Sequence, residues 1–87
     1  MKLARVKGSV TATAKDAQLV GHALLLCDCV DEQDNVVEAA IVAADTVGAG
    51  AGDRVLIITG SAARLASSIS GLPVDAAIVA IVDDVRV

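Results

Sequence analysis

Three stretches of this chain are apolar at every consecutive position: Ala39-Ala40-Ile41-Val42-Ala43-Ala44, Val55-Leu56-Ile57-Ile58 and Ala76-Ala77-Ile78-Val79-Ala80-Ile81-Val82. Each is short and most are rich in β-branched residues, which points to strands. Successive strand side chains face opposite sides of a sheet, so a strand covered on one side alternates apolar with polar residues. These strands are apolar on both sides. Alanine alone would tolerate exposure, but Val, Ile and Leu fall on both faces, and the outer faces need a cover. A chain of 87 residues buries only roughly 60–65% of the surface it exposes unfolded. The expected cover is therefore another subunit.

The rest of the composition narrows the field. Hydrophobic residues make up 55% of the chain, yet Phe, Tyr and Trp are absent. The core must be assembled from Ala, Val, Ile and Leu, each burying less area than an aromatic ring. Mean hydropathy is +0.70, but the longest apolar run, residues 76–82, falls far short of the ~20 residues of a membrane-spanning helix. No membrane partner is expected. The net charge is −4 and the seven basic residues are scattered. Without a basic groove or stacking aromatics, single-stranded nucleic acid has nothing to bind. The residues after Met1-Lys2 lack the apolar stretch of a secretory signal. A cytoplasmic location is expected, with Cys27 and Cys29 kept reduced.

Turn residues divide the chain into five strands, expected at residues 3–12, 22–30, 38–47, 54–59 and 74–82. Lys15-Asp16-Ala17-Gln18 reads as a loop. Asp31-Glu32-Gln33-Asp34-Asn35 reads as the turn of a hairpin between the second and third strands. Gly48-Ala49-Gly50-Ala51-Gly52-Asp53 reads as a tight connection. One short helix is expected over residues 61–68, capped by Ser61, favoured by Ala62, Ala63, Leu65 and Ala66, and ended by Gly71 and Pro73. The fold class is all-β with one short helix, a five-stranded OB-like β-barrel in a single domain, residues 1–87.

The segment Ala43-Ala44-Asp45-Thr46-Val47-Gly48-Ala49-Gly50-Ala51-Gly52-Asp53-Arg54-Val55 resembles the Asp-x-Val-Gly-Ala-Gly-x-Gly-Glu-x-Val run of the EutN/CcmL-type vertex proteins of bacterial microcompartment shells. Three further segments resemble that family in order and spacing. They are Val6-Lys7-Gly8-Ser9-Val10 with Thr13-Ala14-Lys15, then Gly60-Ser61-Ala62-Ala63-Arg64, then Pro73-Val74-Asp75 leading into Ala76-Ala77-Ile78-Val79-Ala80-Ile81-Val82-Asp83. The chain departs from the pattern at Ala62, where a serine is usual, at Asp53, where Glu is usual, and at Cys27 and Cys29, where Val and Pro are common. The resemblance implies a homopentamer that closes the five-fold vertices of a polyhedral shell, among hexameric shell proteins. It implies no enzymatic activity and no cofactor. By analogy, Gly48, Ala49, Gly50, Gly52, Ser61 and Arg64 are candidates for a subunit interface or for the lining of an axial opening.

The residues themselves offer competing chemistry. Cys27 and Cys29, at i and i+2 on a strand, share a face and with His22 would supply three ligands to a metal. That alternative makes the chain a small metal- or ligand-binding oligomeric barrel. Against it, the second Cys pair of a structural zinc site is missing, and buried cysteine is commonly a small hydrophobe. Asp75, Asp83 and Asp84 flank an apolar strand and suit a solvated barrel rim. Asp45, just before the glycine loop, is placed to accept backbone N–H groups. The Gly-x-Gly-x-Gly spacing lacks the lysine and hydroxyl residue of a phosphate loop, and no helix follows it. Arg64 reads either as solvated or as a contact within or between subunits.

Overall fold

The computed structural model describes residues 1–13, 15–65 and 73–87. Strands β1 (Lys2–Val10), β2 (Leu24–Val30), β3 (Val36–Asp45), β4 (Arg54–Thr59) and β5 (Ala76–Ile81) close into a barrel in the order β1-β2-β3-β5-β4. This is the five-stranded, OB-like architecture expected from the turn spacing. Four of the five seams are antiparallel. β3 and β5 run parallel and pair only at Ala44 with Ala77 and Asp45 with Ile78.

Alternate residues of each strand enter the barrel. Ala4, Val6, Leu25, Cys27, Cys29, Ala43, Val55, Ile57, Ala76 and Ile78 form the buried core, with Ile41 and Ala49 packed against it. The small size of these side chains lets a barrel this narrow close without rings in its interior. A second cluster lies on the outside of the sheet. Ala63 there meets Ala44 and Ala77, flanked by Leu24, Ile58 and Val74.

The helix after β4 is a 3-10 helix over Gly60–Leu65, so Ser61 lies inside it and does not cap it. Gly60 explains the shift. With φ at +67° it turns the chain at the end of β4, and its N–H donates to the Asp75 carbonyl at 2.7 Å. Residues 66–68 of the expected helix, and Gly71, lie outside the described residues. The loop expected around Lys15 to Gln18 contains a 3-10 turn, Ala17–Leu19. Asp16 caps it, its carboxylate accepting the Gln18 N–H.

The hairpin between β2 and β3 turns where its polar residues indicated. The Asp31 carboxylate accepts the N–H groups of Gln33 and Asn35, both at 2.9 Å, and Asp34 takes a φ of +70°. β3 departs from regular pairing. Cys27 opposes Ile41 but Cys29 opposes Glu38, so Ala39 and Ala40 together face Asp28. That bulge puts Ala40 at φ +61°.

Candidate functional site

The glycine loop is stitched down at both ends. At its start, Asp45 Oδ1 accepts the Val47 N–H at 3.0 Å, as its position suggested, and the Thr46 hydroxyl donates to the Ile78 carbonyl at 2.7 Å. Gly48 then takes a φ of +79° and Gly52 one of +89°, a region open to glycine at little cost. Asp53 closes the loop: Oδ2 accepts the Gly50 N–H at 2.8 Å while the Asp53 N–H donates back to the Gly50 carbonyl. The Gly52 N–H donates to the Val6 carbonyl, and the Val6 N–H to the Asp53 carbonyl. The amides of Gly50 and Gly52 are thus engaged within the chain. Ala49 is half-buried, while Gly48, Gly50 and Gly52 are exposed.

Arg5 ties this loop to the hairpin tip. Its Nε and Nη2 donate to the Asp34 carboxylate at 3.0–3.2 Å, and its Nη1 donates to the Gly52 carbonyl at 2.7 Å. Sequence reasoning did not find this contact. Its partners lie 29 and 47 residues away in the chain, and only barrel closure brings them together.

The metal-binding alternative is not supported by the geometry. Cys27 and Cys29 do share a face, and that face is the barrel interior, where both are free and buried. Burial, with the neighbouring Cys29, pushes the Cys27 thiol up from 9.0 to about 11, and burial raises Cys29 as well. Both therefore stay protonated at neutral pH and pack as small apolar groups of the core. His22 is half-buried ahead of β2, its backbone N–H held by Leu19. Among the described residues no three His, Cys, Asp or Glu side chains converge on a metal position.

Ser61 is exposed on the second 3-10 helix. The backbone of Arg64 belongs to the same helix, and its side chain lies outside what is described. Asp75, Asp83 and Asp84 are exposed, with Asp84 paired to Arg86 at 2.9 Å. The exterior is as apolar as the strands required. Leu65 is 81% exposed, Val37 67%, Val20 66% and Val42 44%, and Leu24, Leu26, Leu56, Ile58 and Val79 are only half-buried.

A small closed barrel with so apolar an outside and loops pinned by their own hydrogen bonds is a subunit of a larger protein assembly. Comparison with known proteins specifies which. The family model for ethanolamine utilisation protein EutN/carboxysome matches residues 1–83. The carboxysome shell vertex protein CcmL of Nostoc is 49% identical over all of this chain and 87% of its own length. The bacterial microcompartment shell vertex protein EutN of Escherichia coli K12 is 40% identical, covering 98% of this chain and 90% of its own. The solved Nostoc CcmL superposes with a TM-score of 0.93 over 99% of this chain and 93% of that one, at 48% identity. The pentameric microcompartment shell protein GrpN of Rhodospirillum rubrum does so with a TM-score of 0.89 over 100% and 99%, at 39% identity. The chain belongs to the EutN/CcmL family of bacterial microcompartment shell vertex proteins, and its role is structural.

Proposed function

We propose that residues 1–87 form one vertex domain that assembles into a homopentamer and closes the five-fold corners of a microcompartment shell, seated among hexameric shell proteins. The carrying observation is the apolar exterior: Val36, Val37, Val42 and Ile81 are exposed, and Leu24, Leu26, Leu56, Ile58 and Val79 half-buried, on strands whose inward side chains already fill the core. A head-to-tail interface closes into a ring when the rotation between copies divides the circle. Five-fold rings supply the curvature that flat hexagonal tiling lacks. In this reading Gly48, Ala49, Gly50, Gly52, Ser61 and Arg64 belong to the subunit interface or to the axial opening. The glycine loop suits that place because its internal bonds hold a fixed shape while its small residues allow close approach of a neighbour.

Co-expression with hexameric shell proteins tests the role. Electron micrographs should show closed polyhedra when this chain is present, and open sheets or tubes when it is left out. Closed polyhedra of normal size without it would contradict the assignment.

A further inference from the structure

Arg5 and Arg54 stand directly opposite each other on the β1–β4 seam. Like charges facing across a sheet repel. Among the described residues they share one carboxylate: Asp34 Oδ1 lies 3.0 Å from Arg5 Nη2 and 3.8 Å from Arg54 Nη2. Asp28, opposite Arg5 on β2, is already held by Lys7, so three cations on two carboxylates leave a local surplus of positive charge on a chain of net charge −4.

The two arginines are not equally satisfied. Arg5 spends its donors on Asp34 and Gly52. The Arg54 guanidinium donates no hydrogen bond among the described residues: its Nε is buried inside the subunit, out of a neighbour's reach, and the part that leaves the side chain 27% exposed has only Asp34, at 3.8 Å. A guanidinium carries five donors in a rigid fork, and buried donors in folded proteins are nearly always paired. The Arg54 backbone cannot drift to find a partner. Its carbonyl accepts the Val82 N–H at 2.7 Å, and Asp53 beside it closes the glycine loop.

We propose that Arg54 receives a carboxylate from a neighbouring copy of this chain, an ion pair that completes the Arg5–Asp34–Arg54 cluster across the subunit boundary. This rests on the ring assembly proposed above. A carboxylate fits better than a carbonyl because it also neutralises the surplus charge and matches the guanidinium fork. The chain has suitable acceptors of that charge. Among the described residues, the side chains of Glu32, Asp75 and Asp83 make neither a hydrogen bond nor an ion pair within the subunit, whereas the other acidic residues do.

Dilution series of wild type, Arg54→Gln and Arg54→Lys, read by sedimentation velocity, test the pair. Arg54→Gln should dissociate at a protein concentration about tenfold or more above wild type, with Arg54→Lys between them. Added salt should weaken the wild-type ring and leave the Gln variant nearly unchanged. One of Glu32→Gln, Asp75→Asn and Asp83→Asn should reproduce the loss and add nothing to it in the double variant. If Arg54→Gln does not fold, the three carboxylate variants decide alone. A wild-type ring that none of them weakens would overturn the pair, as would coupling of Arg54 to Asp34 only. A wild-type chain that forms no ring would instead refute the assembly itself.

Discussion

The Asp28 carboxylate, set on β2, accepts the backbone N–H of Ala40 on β3 at 3.0 Å. That amide is freed by the bulge at which Ala39 and Ala40 together oppose Asp28. Lys7, itself at the irregularity of β1, holds the other carboxylate oxygen at 3.5 Å. One side chain thus repairs the ladder where β3 bends, and the bend lets a narrow barrel close.

Two substitutions at this bulge should act in opposite directions. Ala40 carries a φ of +61° and its side chain is exposed. The left-handed conformation costs a non-glycine residue about 1–2 kcal/mol, against about 0.5–1 kcal/mol of extra chain entropy for glycine. Ala40→Gly should raise the free energy of unfolding, read by chemical denaturation, by up to about 1 kcal/mol. Ala40→Val should lower it, because β-branching is worst at positive φ. The reverse order would show that the bulge does not persist in solution. Asp28→Ala should cost about 1 kcal/mol, and Asp28→Asn less, since the amide oxygen still accepts.

The glycines of the loop separate into two kinds. An added Cβ at Gly48, Gly50 or Gly52 would meet nothing within 4 Å in the single subunit. Only Gly48 and Gly52 have positive φ. Gly48→Ala and Gly52→Ala should each destabilise the subunit by about 1–2 kcal/mol through backbone strain. Gly50→Ala should stay within about 0.5 kcal/mol. Any loss of assembly in Gly50→Ala then reports a neighbour's approach and not a damaged fold. Chemical denaturation together with sizing of the assembled species separates the two effects.

The buried thiols set an alkaline limit. Cys27 titrates near 11 when folded against 9.0 ordinarily. The unfolded chain therefore loses its proton first, and this contribution to stability is intact below pH 9 and lost as pH rises towards 11. Lys2, whose ammonium is held by Glu38 and raised above 10.5, acts in the same direction at higher pH. Stability should fall by up to about 1.4 kcal/mol per pH unit in that window from Cys27 alone, and Cys27→Ala should flatten the slope. At neutral pH both cysteines should react with thiol reagents only on unfolding. Rapid labelling of the native protein would contradict their placement.

The hairpin tip sets an acid limit. Backbone N–H bonds from Asn35 and Gln33 hold the Asp31 carboxyl below its usual 3.8. A group with a depressed folded value stabilises above the unfolded value and loses that contribution as pH falls through the folded one. Wild type should therefore lose stability below about pH 4. Asp31→Ala should melt lower at neutral pH and show less of this acid dependence.

Much of the fold was legible because strand signals and turn signals agreed. β4 begins and ends at Arg54 and Thr59 as the sequence reading placed it, between the glycine loop and Gly60. Consecutive apolar residues in β3, β4 and β5 correctly indicated an exterior in need of cover. The i, i+2 spacing put Cys27 and Cys29 on one face, but the inward direction of that face depended on barrel register. The bulge at Ala40 was invisible, since alanine gives no sign of a positive φ. The Arg5–Asp34–Gly52 bridge and the approach of Arg54 to the same carboxylate were invisible for a different reason. Surface charges in a short chain have many possible partners, and only closure of β1 against β2 and β4 selects among them.

The number of copies in the assembled protein decides whether the barrel works as a five-fold ring. Native mass spectrometry at micromolar concentration should find five copies of the 8.7 kDa chain in one closed species. A folded monomer persisting at that concentration would mean that its apolar exterior tolerates water after all, and a hexamer would be incompatible with a five-fold corner.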